Sequence, residues 1–394
     1  MRALSRITAR WPLGALSGAL VLAASVTASA QENRADVVAD EQRQKAGTLT
    51  PWTPGRVESM VIKLKQDLID SPSGVYPTFD SVYSGGGFTL GAGYRQYYTP
   101  TTFWNVKGMY SFKGYNLIEG STTSQGWLGG RLDWTAYGGR RDATEVEYYG
   151  LGNDTAGGDV PTFRMTQLYI GASTEYRPVR WLRATGDAAY ESYEDEPEDL
   201  TSFAPGASAN PDFLHLRGGL AYDSRRSPGY TRTGGMYGAT LHAYIDQDDG
   251  THSFERLDLD AVQHIPIGRE TWAISLRGRV QTTLGDDDVP YFLMPSVGGG
   301  HSLRGYSSFR WREPHTLLTS AEWRWFPNLE GIDMALFADA GKVAPELDGL
   351  DFKDMHTDYG IGFRMHGLLS TPLRVDFARG SEGWHLNFAG SAAF

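Results

Sequence analysis

Nine histidines, three acidic clusters and a glycine-rich tract ending in arginine are the residues whose types and spacing could carry chemistry. His301 and Ser302 are neighbours in the chain, but adjacency is not a triad: no third group orients a base, and no G-x-S-x-G turn presents a nucleophile. Asp246-Gln247-Asp248-Asp249-Gly250 resembles part of a calcium loop without the spaced glutamate that closes one. Together with the acids at 194–198 and 286–288 it reads as solvated loop charge. There is no H-E-x-x-H and no phosphate loop. The chain has no cysteine, which removes disulfides, thiolate nucleophiles and Cys-ligated metals. The expectation is a protein that is not an enzyme and holds neither metal nor cofactor.

The elements that would position these residues begin with a leader. Arg2, Arg6 and Arg10 precede an apolar stretch at 11–26, and Ala28-Ser29-Ala30 offers a small-x-small cleavage site. That order predicts a secretory signal over 1–30, too short and glycine-interrupted for a membrane helix, with the mature chain starting at Gln31. Its loss takes the formal charge from −11 to about −14, a balance that argues against nucleic acid as a partner. Residues 31–55 are polar and charged and predict a disordered periplasmic lead. Over 56–70, Val57, Met60, Val61, Leu64, Leu68 and Ile69 share one helical face, with Lys63, Lys65 and Asp67 elsewhere, which predicts a short amphipathic helix.

From Gly74 the hydrophobic period becomes two. Trp272, Ile274, Leu276 and Val280 alternate with Ser275, Arg277, Arg279 and Gln281. Met334, Leu336 and Ala338 alternate with Phe337 and Asp339, and Leu373, Val375 and Phe377 with Arg374 and Asp376. Strands apolar on one face and charged or glycine-rich on the other suit a barrel in lipid, with polar side chains in the lumen and no unpaired edge. Glycine at 48 residues, aromatics at 12 % and a mean hydropathy of −0.38 agree, since every second strand position is polar. Sixteen such segments follow one another over 74–394, the fourth read at 125–137 and the fifth at 142–150. The fold class is therefore all-β: a 16-stranded transmembrane antiparallel β-barrel preceded by a short amphipathic helix. Trp323, Trp325 and Phe326 lie just before a turn, as membrane girdles do, and Phe394 ends the chain after a final alternating run.

The longest loop carries Gly298-Gly299-Gly300-His301-Ser302-Leu303-Arg304-Gly305-Tyr306. Phe337-Ala338-Asp339-Ala340-Gly341, Gly360-Ile361-Gly362-Phe363-Arg364 and Pro372-Leu373-Arg374-Val375-Asp376-Phe377 follow in order, and Tyr222-Asp223-Ser224-Arg225 with Thr233-Gly234-Gly235 stands upstream. In these motifs the chain resembles the BamA/TamA outer-membrane assembly and transport superfamily, also called the surface-antigen family, whose sixth external loop bears an R-G-[F/Y] signature. The resemblance implies that the loop folds into the lumen and that Arg304 pairs with Glu322 and Asp339. Both acids have the inward parity of their strands, and a planar guanidinium can satisfy two carboxylates. Gly305, Tyr306, Arg364 and Asp376 would extend that network. The stretch from Gln31 to Gly74 is too short for a periplasmic POTRA module, so a short member of the family is expected.

The resemblance also implies a bacterial outer-membrane location and a weak seam between the first and last strands, marked here by Pro77, Gly390 and Phe394. Proline and glycine both weaken strand pairing. The expected function is movement or insertion of polypeptide or lipid through that seam. The alternatives are a passive outer-membrane channel and a structural or lipid-binding surface protein. Expected partners are outer-membrane lipids and lipopolysaccharide, the assembly machinery during biogenesis, and a second copy of the chain in a homodimer.

Overall fold

The computed structural model describes residues 73–394 apart from 79–80, 159, 198–203, 208, 227–229, 269–270, 286–288, 328–330, 367–370, 372 and 391–394. The expected signal, polar lead and amphipathic helix lie outside the described residues, as does Phe394. The first strands are β1 (Gly74–Thr78), β2 (Thr89–Thr99), β3 (Thr102–Ser111), β4 (Asn116–Gly126), β5 (Leu132–Glu147) and β6 (Thr162–Val179). There follow β7 (Leu182–Pro197), β8 (Asp212–Asp223), β9 (Gly234–Asp246), β10 (Phe254–Ile267) and β11 (Trp272–Leu284). Two short strands, β12 (Ser296–Val297) and β13 (Trp311–Arg312), pair with each other inside one loop. The chain continues through β14 (His315–Trp325), β15 (Ile332–Ala344), β16 (His356–Met365), β17 (Leu373–Gly380) and β18 (Gly383–Ala389). Leaving out β12 and β13, sixteen strands form one antiparallel sheet in chain order.

Side-chain parity explains why the sheet is one layer and not half of a sandwich. On β15, Met334 and Leu336 are 45 % and 52 % exposed, whereas Asp333, Phe337 and Asp339, of the opposite parity, are 0 %, 5 % and 2 % exposed. Apolar side chains thus face outward and charged ones are enclosed, the reverse of a protein folded in water. Trp272 stacks on Trp323 and Trp325 at ring-centroid distances of 5.0 and 5.7 Å, making an outward aromatic cluster at one end of β11 and β14. Connections alternate in kind. One end carries tight reversals such as 100–101, 180–181 and 268–271; the other carries 148–161, 198–211, 285–314 and 345–355.

Boundaries early in the chain differ from the sequence expectation. The segment read as one strand at 125–137 instead contains a reversal, a tight turn at Trp127–Gly130 between β4 and β5 in which Leu128 has a φ of 53°. Gly126, Gly129 and Gly130 adopt φ of 81°, 73° and 84°, which breaks the strand, while Trp127 and Leu128 supply the apolar signal that masks the break. β1 is likewise shorter than the run read at 74–83, stopping at Thr78.

The enclosed face changes character along its length. Toward the loop end an apolar cluster fills it, contributed by strand ends and by the start of loop 285–314. Tyr291 meets Phe163 and Tyr148 at 4.7 and 5.1 Å, and Phe292 meets Tyr193 at 5.3 Å. Toward the turn end lies a polar cavity of about 1080 Å³ lined from β4 to β11. Its charges are paired around the wall, with Arg217–Asp187 at 3.2 Å, Arg256–Asp258 at 2.9 Å and Arg279–Asp260 at 2.9 Å. The enclosed row of β6 shows the gradient within one strand: Phe163, Met165, Gln167 and Tyr169, then Ser173 and Glu175.

Candidate functional site: an arginine-tipped loop and the edge of the sheet

Loop 285–314 enters the enclosed space on the β12–β13 pair, which brings 297 and 311 together and projects the glycine-rich tip between them. The tip is internally braced. Gly298 N donates to Ser302 Oγ at 2.8 Å, Ser302 Oγ donates to Gly298 O at 3.0 Å, and Gly299 N donates to Leu303 O at 3.0 Å. Ser302 is therefore engaged as a brace. At Gly305 a Cβ would stand 2.5 Å from the backbone nitrogen of Gly380, and at Gly380 one would stand 2.5 Å from Gly305 O. Only two glycines allow the loop to press this closely on β17.

This approach delivers Arg304, 2 % exposed, to the acids expected from its sequence. Its Nε and Nη2 donate to Asp339 Oδ2 and Oδ1 at 2.7 and 2.8 Å, and its Nη1 donates to Glu322 Oε1 at 2.6 Å. The guanidinium carbon lies 3.5 Å from the centre of the Phe337 ring, which forms a floor beneath it. Arg364 Nη2 reaches the same Glu322 oxygen at 2.5 Å and comes within 3.7 Å of Asp376 Oδ1. Asp376 Oδ2 is 3.9 Å from Arg304 Nη1 and 3.0 Å from Arg374 Nε. Each ion in this cluster faces opposite charge, the condition under which buried ions are tolerated.

The remaining predicted neighbours also lie here. Gly305 N donates to Asp358 Oδ2 at 2.9 Å. The Tyr306 hydroxyl donates to Thr357 O at 3.0 Å and accepts from Ser381 N at 3.1 Å, and its ring meets Trp311 edge-on at 4.8 Å. Sequence reasoning missed Asp358, Arg374 and Asn387. Arg374 Nη2 donates to Gly300 O, and Asn387 Nδ2 donates to Arg304 O at 2.8 Å. Each lies on its strand at the enclosed parity, so alternation carries a signal for all three, although nothing in alternation says which reach the loop.

The upstream D-x-R turn is a second brace. Arg225 forks onto Asp223 at 2.9 and 2.8 Å, and Ser224 N donates to Gly235 O at 2.8 Å. Tyr230 in that turn donates to Ile332 O at 3.0 Å, tying the β8–β9 connection to β15.

At the sheet's edges the picture differs. Pro77 lies in β1 and pairs in register with Ala92 of β2, and Gly390 directly follows β18. Among the described residues no ladder joins β1 to β18. The two sides nevertheless meet: Phe88, just before β2, contacts Phe388 of β18 at a centroid distance of 5.1 Å and an interplanar angle of 68°.

The Omp85 superfamily domain matches residues 85–385. Among solved structures the chain is similar to BamA from Haemophilus ducreyi lacking POTRA domains 1–3, at 15 % identity and a TM-score of 0.59, over 80 % of this chain and 69 % of that one. It is also similar to CdiB from Escherichia coli, at 14 % identity and a TM-score of 0.53, over 80 % of this chain and 61 % of that one. At these identities the two likenesses are of fold. No functionally curated protein matches the sequence.

Proposed function

This chain belongs to the Omp85 superfamily of outer-membrane β-barrels, and from that premise we propose that it moves or inserts polypeptide or lipid through a seam between β1 and β18. Members of the superfamily are transporters or assembly factors, and they reside in the outer membrane of Gram-negative bacteria. The observation that carries the reading is the missing ladder. Every neighbouring pair from β1 to β18 in the sheet is hydrogen-bonded, while among the described residues the first and last strands are not. Parting them breaks no described backbone bond, whereas parting any other pair breaks a ladder. The loop lock supports the same reading, because its ion pairs fall on β14 to β17, while β18 meets the tip through the neutral Asn387 hydrogen bond.

In this reading the barrel closes through the seam, residues 1–30 are removed on export, 31–55 lead through the periplasm and 56–70 form the amphipathic helix. Outer-membrane lipids and lipopolysaccharide surround the barrel, the assembly machinery inserts it, and 56–70 offer a surface for pairing with a second copy.

The chain lacks cysteine, so two introduced cysteines, one in β1 and one in β18, form the only disulfide. When oxidised, the protein should leave the outer membrane with the protein and lipid content of cells lacking the gene, and reductant should restore it. A locked protein that behaves as wild type, where the deletion does not, would remove the gate. The polar cavity favours one second reading, a passive channel with loop 285–314 as its constriction. Deleting 298–306 should then raise single-channel conductance sharply while the disulfide has no effect.

A further inference from the structure

β18 carries two consecutive side chains on opposite faces, and each reaches beyond its own hairpin. Phe388 shares the outward parity of Trp384 and Leu386 and meets Phe88 edge-on, and Phe88 in turn stacks on Phe112 at 5.9 Å. Asn387 faces inward and donates to the Arg304 carbonyl at 2.8 Å. We propose that Phe388 and Asn387 form a two-sided clasp that sets the position of β18 on its free side, where no ladder is seen among the described residues, coupling the sheet edge to the loop tip. The clasp stands on these contacts alone; that its release serves transport rests on the seam reading above.

The two halves differ in kind. The rings face hydrocarbon, where apolar contact gains nothing from leaving water and only packing favours it, so this half is shallow and easily released. The amide reaches the carbonyl of the residue whose side chain Asp339 and Glu322 hold, so this half ties the strand to the buried ion cluster. Release on the outer face therefore leaves β18 held by its ladder to β17 and by the amide inside, so the strand shifts at its free edge without leaving the sheet.

Nitroxide labels on cysteines at Leu90 and Leu386, both outward-facing, read the gap across the edge by pulsed electron paramagnetic resonance in bilayer nanodiscs. In the labelled parent the distances should form a dominant short population with a minor long-distance fraction. Phe388→Ala should raise the long-distance fraction about two-fold or more, the response of a two-state equilibrium that has lost one contact. Phe88→Ala, made on the opposite side of the gap, should do the same, and the double variant should add little to either. Asn387→Asp, which replaces the donor by an acceptor, should widen the distribution further. Phe363→Ala, an outward ring away from the edge, is the control and should change nothing.

Unchanged distributions in both Phe388→Ala and Phe88→Ala, or equal broadening in Phe363→Ala, would overturn the clasp. The labels need no cargo, so the two ideas fail separately. Broadening together with an inconsequential seam disulfide sinks transport and keeps the clasp; an effective disulfide with unchanged distances does the opposite.

Discussion

Arg304 occupies a place where its charge is tolerable only in company. Removing a buried pair's partner leaves uncompensated charge, at a cost of about 3–5 kcal/mol. Arg304→Ala should therefore destabilise the folded barrel by about that amount, because Asp339, Glu322 and Asp376 then face one another without it. Heat-modifiability on semi-native gels reads this directly: the folded band should disappear at a lower temperature, and an unchanged transition would mean the pairing is incidental. Arg304→Lys should lie between the two, since a point charge cannot reproduce the fork onto Asp339. Much of this cluster was legible. The R-G-Y tract named the arginine, and alternation placed Glu322, Asp339, Arg364 and Asp376 on the enclosed face. Asp358 and Asn387 have that same parity but stayed hidden, because parity reports a face and not the height at which a loop crosses it.

Strand periodicity is the clearest signal at the next scale, and it makes its own prediction. Leu336 faces outward and Ser173 lines the polar cavity, so the same substitution should have opposite fates. Leu336→Arg, directly across from Trp323 of the aromatic cluster, should weaken folding into lipid by about 1–2 kcal/mol, between the midplane and interfacial costs, while Ser173→Arg is tolerated. Folding titrations in lipid vesicles against urea measure both, and equal costs would contradict the assigned faces. Alternation located β8 to β11 and β14 to β18 well because apolar side chains there alternate with polar, charged or small ones. It failed between β4 and β5, where Trp127 and Leu128 supply an apolar signal inside a reversal made by Gly126, Leu128, Gly129 and Gly130, all of positive φ. Glycine is common throughout these strands, so its presence alone could not mark that turn.

Across the molecule, packed rings fill one end of the enclosed space and a polar cavity occupies the other. Tyr291 is fully buried at the centre of these rings and touches Tyr148, Phe163 and Phe292. Tyr291→Ala should cost about 3–5 kcal/mol, as removal of a large buried ring does, and should increase ion conductance in planar bilayers, since the cavity would then communicate with the loop end. A destabilised but equally tight protein would show that the rings support the loops without sealing the lumen. This packing was not legible in the sequence. The rule that apolar side chains face lipid holds along most of each strand but inverts near the loop end, where a segment distant in the chain folds in and supplies an apolar surface to pack against.

The contacts of the loop tip also impose an order. Arg304 precedes all of its partners along the sheet: Glu322, Asp339 and Asp376, the Asp358 that holds the next residue, and Asn387 on the edge strand β18. Until those strands arrive the arginine has water for company, and the charged rows of β14 to β17 have only one another. Completion is thus reported at one point. A barrel still waiting for its final strand has an unsatisfied interior, so an unfinished molecule differs chemically from a finished one at a site deep inside it.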